Sequence, residues 1–138
     1  MFLLDTNAVS ELMKPRPDAG FMDWYASTQG PALFYSVLTI AELARGARRL
    51  DPGPKRRSIE NFIFSLLLER DDQVPAVGIA EAEAWTEVVE RHKHHRVTVN
   101  AIDELIAATA ISRDLTVITR NVRDFERSGC RLLSPWSG

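Results

Sequence analysis

Cysteine is nearly absent: Cys130 is the only one in 138 residues, which excludes an internal disulfide and a cysteine-built zinc cage. No apolar run approaches the roughly 20 residues that span a bilayer. The start, Met1-Phe2-Leu3-Leu4-Asp5, lacks the basic segment of a secretory signal. A cytoplasmic protein is the simplest expectation. An excess of positive charge is also missing, since 17 Lys and Arg face 19 Asp and Glu for a net charge of −2. The total therefore does not advertise a polyanionic partner. The distribution says more. Arg45, Arg48, Arg49, Lys55, Arg56 and Arg57 fall close together, and Arg120, Arg123, Arg127 and Arg131 form a second group. Solvated helix faces explain such groups. RNA-facing patches offset by acids gathered in one pocket explain them equally well.

What is present is an ordinary globular composition, 45% hydrophobic and 26% charged, which predicts one domain over residues 1–138. Phe2 to Leu4 reads as a buried strand, followed by a helix capped by Thr6 or Asn7 and running to Leu12. A second helix is expected from Asp18 to Ser27, and a second strand from Leu33 to Ser36. Thr39 is read as opening a helix that Asp51-Pro52-Gly53-Pro54 ends. Lys55 to Leu68 comes next as a helix with Ile59, Phe62, Ile63, Leu66 and Leu67 as its buried stripe. Val74 to Val77 reads as a short strand. The helix from Ile79 to Lys93 should turn Ala80, Ala84, Trp85, Val88 and Val89 inward. Another helix covers Asn100 to Ser112. Leu115 to Thr119 is the clearest strand, rich in β-branched residues, and Arg131 to Leu133 adds an edge strand. Such alternation predicts an α/β domain with a mainly parallel sheet.

Three carboxylates are read as standing where a strand-like run hands over to a helix: Asp5, Glu42 and Asp103. In an open α/β sheet the carboxyl ends of the strands share one edge, so these groups can meet there. Carboxylates so close repel one another unless a cation stands between them, and hard divalent ions take oxygen ligands of this type. Each also has a structural explanation. Thr39-x-x-Glu42 and Asn100-x-x-Asp103 fit a capping pattern, and Asp5 can cap the first helix. Small residues one and two turns beyond Asp103, Ala107 and Ala110, would let its helix approach the sheet closely. At the end of the best strand, Thr119-Arg120-Asn121-x-x-Asp124 offers further polar groups. An Asx turn accounts for these as well.

Taken together, these residues resemble the PIN-domain ribonucleases of the VapC toxin family, with a start, Leu4-Asp5-Thr6-Asn7-Ala8-Val9-Ser10-Glu11-Leu12, similar to its FitB-like branch. The likeness extends through Thr39-x-x-Glu42-Leu43-x-x-Gly46, Asp103-x-x-Ile106-Ala107-Ala108-Thr109-Ala110, Thr119-Arg120-Asn121-x-x-Asp124-Phe125 and Pro135-Trp136. It implies an α/β/α sandwich, a homodimer, and Mg²⁺- or Mn²⁺-dependent cleavage of RNA. It also implies restraint by a cognate antitoxin, through which operator DNA would be bound. Asp5 and Asp103 would be the principal metal ligands. Glu42 would act through a water, orient the attacking water, or complete a second metal position. Asn121 occupies the family's fourth acidic position, often Asp, with Asp124 as a compensating carboxylate; one metal or two stays open. Thr6, Asn7 and Thr119 would shape the surroundings, and Arg120 or Arg123 would meet a phosphate.

Two other readings compete. A haloacid-dehalogenase-type phosphatase also places an Asp after its first strand but needs a second Asp two residues on, where this chain has Asn7. A non-catalytic module acting in a DNA-bound repressor complex is the rival from another class. The run Arg91-His92-Lys93-His94-His95-Arg96 is read as an exposed loop rather than a zinc site, having no cysteine partners. Trp24, Trp85 and Trp136 are read as core or dimer-interface residues.

Overall fold

Period-2 alternation in three short apolar strands sets the architecture. The computed structural model describes residues 1–138. Its elements run β1 (Phe2–Leu4), α1 (Thr6–Leu12), α2 (Ala19–Ser27), β2 (Leu33–Tyr35), α3 (Val37–Arg48) and α4 (Pro54–Glu69). They continue with α5 (Ile79–His94), α6 (Ala101–Arg113), β3 (Thr116–Ile118), α7 (Val122–Phe125) and β4 (Arg131–Leu133). All strands are parallel, in the order β2-β1-β3-β4. In β1, Leu4 points to one face and packs with Phe21, Leu33, Tyr35, Leu43, Ile118 and Trp136. Leu3 points to the other and packs with Val88, Ile106, Ala107, Ala110, Val117 and Phe125. Both faces of the sheet are covered, so the inner strands are apolar throughout, as parallel sheets require.

Register brings the strand ends level. Leu4 pairs with Tyr35 and with Ile118, and Ile118 pairs with Leu133. The ladder continues one step as Asp5 N–H donates to the Ile118 carbonyl at 3.2 Å and Thr119 N–H to that of Leu133 at 3.2 Å. Asp5 and Thr119 therefore emerge side by side at the carboxyl edge.

The structure corrects several local expectations. Helix α3 begins at Val37, because the Ser36 hydroxyl accepts from Leu38 N–H at 3.1 Å and caps it; Thr39 lies inside the helix. Asp5, rather than Thr6 or Asn7, caps α1. Val74 to Val77 forms no strand. A fifth strand would have to pair with β2, but the Gln73 side-chain amide donates to the carbonyls of Gly30, at 2.7 Å, and Leu33 at that edge. Leu67 lies on the outer side of α4 with Phe64 and Leu68, and Ala80 is exposed beside Ile79. The histidine run spans the last turn of α5 and the two residues after it, with His92 buried.

Chain closure rests on Glu11, buried at 2% exposure. It accepts from the Trp136 indole N–H at 2.7 Å, from Asp18 N–H at 3.0 Å and from Lys14 at 3.2 Å. Asp18 in turn caps α2 and accepts from the backbone and hydroxyl of Ser137, each at 3.0 Å. The C-terminal segment crosses so close to α2 that a Cβ on Gly20 would stand 2.9 Å from the Pro135 carbonyl. Glu11→Ala should lower unfolding stability in urea by about 2–3 kcal/mol, since buried donors lose a charged acceptor; an unchanged midpoint would contradict this role. The Trp136 hydrogen bond is the main reason the Glu11 carboxyl sits below its usual range. The contribution is thus present above the unfolded carboxylate value and fades as pH falls through the lower folded one.

Candidate metal centre and active site

Four carboxylates lie in one region at the carboxyl edge, each of the other three coupled by charge to Asp103. Asp5 is 3% exposed, and its Oδ1 accepts from Ala8 N–H at 2.9 Å. Burial raises its pKa to about 6; Thr119 and the Ala8 and Asn7 N–H groups pull it back, and the charge of Asp103 pushes it further up. Thr119 Oγ1 accepts from Asn121 N–H at 2.9 Å, which leaves its own proton for Asp5. Asp103 sits in the first turn of α6, capped by Asn100. Its N–H donates to Asn100 Oδ1 at 2.9 Å, and Asn100 Nδ2 donates to its Oδ2 at 2.8 Å. Its pKa is raised, first by burial, then by the charges of Asp124 and Glu42 against the lowering effect of Asn100.

Glu42 reaches the same region from α3. The Thr6 hydroxyl donates to its Oε1 at 2.5 Å, and Thr6 lies 3.3 Å from Thr39 Oγ1, so α1 and α3 are stitched together beside the site. Asp124, on α7, accepts from the Asn121 side-chain amide. Asp103 is thus raised by Asp124 and Glu42 and itself raises Asp5, while no Lys or Arg contributes to the shift of either Asp5 or Asp103. Each acid is instead held by a neutral donor: a threonine hydroxyl, an asparagine amide or a backbone N–H. No three of these acids converge on a single point at ligand spacing. The donor chemistry nevertheless fits a hard divalent cation: oxygen only, anionic and without a competing positive side chain.

Of the remaining residues singled out in the sequence, Thr119 is fully buried, whereas Asn7, Arg120 and Asn121 are exposed at the rim. Sequence reasoning missed one supporting contact. Glu104, next to Asp103, turns to the other flank of α6, where its Oε2 lies 2.6 Å from His92 Nδ1 on α5, both side chains being buried. A glutamate in an apolar, alanine-rich helix was the only available signal, since a buried carboxylate demands a partner. That partner was hidden in what reads as a charged loop.

Comparison with known proteins identifies the family and the fold. The family model for the PIN domain matches residues 2–129. The chain is 31% identical to Toxin FitB of Neisseria gonorrhoeae over 144 residues, covering 99% of each. It is 28% identical to the VapC ribonuclease Y4jK of Sinorhizobium fredii over 137 residues, covering 99% of this chain and 98% of that one. The solved DNA-bound VapBC of Salmonella typhimurium superposes with a TM-score of 0.79 at 28% identity, covering 97% of both chains.

The raised value of Asp5 has a testable consequence in chelator. Between the ordinary carboxylate value of 3.8 and about 6, the folded chain holds a proton that the unfolded chain releases, so its stability falls as pH rises through that window. Asp5→Asn removes the buried charge. It should be more stable than the wild type at pH 7 by about 2–3 kcal/mol relative to their difference at pH 4. Thermal melts of both proteins in EDTA across that range measure this, and curves that stay parallel would reject it.

Proposed function

The chain belongs to the PIN-domain family, and on that premise we propose that it is a metal-dependent endoribonuclease, the toxin of a type II toxin–antitoxin pair. One observation carries the reading: Asp5, at the end of a central strand, is destabilised first by burial and further by the charge of Asp103, and no cationic side chain offsets either. Such an arrangement costs stability unless a cation is to be bound there.

Asp5 and Asp103 would hold Mg²⁺, or Mn²⁺ in its place, with Glu42 as the third oxygen donor. Bound there, the ion supplies polarisation of a phosphodiester oxygen and lowers the pKa of a nearby water. The chain's own groups do the rest. Glu42, fixed by Thr6, orients the attacking water and can take its proton. Thr119 and the Asn7 backbone keep Asp5 turned toward Asp103. Asn121 and Asp124 form the far wall, with Asn121 as the neutral member of the catalytic set, and Arg120 at the rim meets a phosphate next to the one being cut.

VapC ribonuclease and Toxin FitB are the names of full-length relatives, and the VapBC neighbour is a DNA-bound complex. We extend these properties to this chain. It would act in the cytoplasm as a homodimer, restrained by a cognate antitoxin that also carries it to operator DNA. The DNA-bound neighbour also favours a second role in repression, and the site geometry gives no reason for that role to exclude cleavage.

The decisive assay is RNA cleavage by the purified chain in Mg²⁺ and in EDTA. Loss of a group supporting a metal ligand commonly lowers affinity or activity 10- to 100-fold, so Asp5→Asn and Asp103→Asn should each lose more than about 100-fold. EDTA should abolish the wild-type rate. Undiminished cleavage by Asp5→Asn would reject the mechanism.

A further inference from the structure

Helix α3 carries Glu42 and, one turn further on, Arg45, and its C-cap residue Arg49 keeps helical dihedrals one turn beyond that. At 100° per residue these three share a flank, and the packing of α3 shows which flank it is. Thr39, Leu43 and Ala47 face the core. Arg48 stands on the adjoining side, lining a crevice with Arg56, Glu60 and Ile63 of α4. Leu38, one turn before Glu42, packs against the core beneath α6. The flank of Leu38, Glu42, Arg45 and Arg49 is therefore the one that borders Asp103.

Both arginines are exposed, and neither forms an ion pair or a side-chain hydrogen bond. Between them Gly46 opens the surface, since a Cβ placed there would meet nothing within 4 Å. The helix dipole favours cations in a last turn and accounts for Arg45 and Arg48 equally. It does not account for a stripe that continues to Arg49, beyond the helix, on the flank of the acidic site. With a rise of 1.5 Å per residue, the stripe leads roughly 10 Å away from Glu42 along the axis.

We propose that Arg45 and Arg49 form a phosphate track that holds single-stranded RNA on one side of the scission point. It rests on the ribonuclease reading and adds to it where the uncleaved strand runs. A neutral-donor acidic pocket cannot attract a polyanion by itself, so free guanidinium groups at its border supply the attraction. Guanidinium groups also suit phosphate oxygens geometrically.

The test separates binding from cleavage. A labelled single-stranded RNA of mixed sequence is titrated with the full chain in EDTA, by fluorescence anisotropy, between about 50 and 200 mM KCl. Each phosphate contact on a single strand adds about 0.7 to the slope of log K against log salt, so the double variant Arg45→Gln/Arg49→Gln should lose about 1.4. Over that fourfold salt range the wild type should weaken about sevenfold more than the variant. In Mg²⁺ the variant should show a raised KM with kcat largely kept, and Arg57→Gln, on α4, should change neither quantity. An unchanged slope overturns the track, including the case in which the variant instead loses binding to a polyglutamate peptide, which would assign the stripe to a protein partner. A wild type that fails to cleave in Mg²⁺ but shows the slope difference overturns the nuclease and leaves the track standing.

Discussion

Burying the negative charge of Asp5 at the end of a central parallel strand is the constraint to which the neighbouring structure answers. Two strands flank β1, so water cannot reach the carboxylate from the sheet plane, and α1 begins on it from above. The fold offers it backbone N–H groups and the Thr119 hydroxyl but no cation, and then sets Asp103 against it. Unsatisfied charge of this kind is a form of stored instability, and such positions concentrate where function needs them.

Glu11 shows what the same chain does with a carboxylate that serves the fold. It lies on the helix that Asp5 starts and is as deeply buried, yet its pKa is lowered where that of Asp5 is raised. The difference lies in desolvation as well as in partners: desolvation is the largest influence on Asp5, whereas for Glu11 the Trp136 hydrogen bond comes first. Glu11 receives an indole N–H, a backbone N–H and a lysine, which outweigh its desolvation. Asp5 receives donors too weak to do so. Two buried acids on one short helix thus have opposite effects. The Glu11 network also ties the C-terminal segment to α2, on the side of the sheet where Phe21 and Trp136 pack at a ring separation of 4.7 Å.

The strands β1 and β3 and the helices α5 and α6 were legible because each rests on a local pattern: β-branched or apolar runs, helical periodicity, an asparagine cap; the nearness of Asp5 to Asp103 followed only from the parallel sheet those patterns imply. Errors arose where two local signals competed or where a distant side chain decided. Ser36 and Thr39 both suit a helix start; Ser36 wins because Thr39 is needed inside, beside Thr6. Val74 to Val77 has strand-like residues, but the edge it would join is occupied by Gln73. His92 is surrounded in sequence by charged residues, and only the buried Glu104, 12 positions on, turns it inward. The bond between Glu11 and Trp136 spans 125 positions, and no window along the chain could reveal it.

Net charge is uninformative for a related reason. The value of −2 sums 17 basic and 19 acidic side chains, and hides that Glu42 on α3 and the unpaired Arg45 and Arg49 lie within two turns of each other. Along α3 the acid comes in the first half and the basic residues at the end, the polarity that the helix dipole favours. The gradient of charge therefore stabilises the helix that bears it. A scission site and a strand-holding surface can be built on such a helix without the conflict that Asp5 creates in β1. Composition averages the gradient away, whereas helical register restores it, because positions 42, 45 and 49 fall on a single flank only when the segment is coiled.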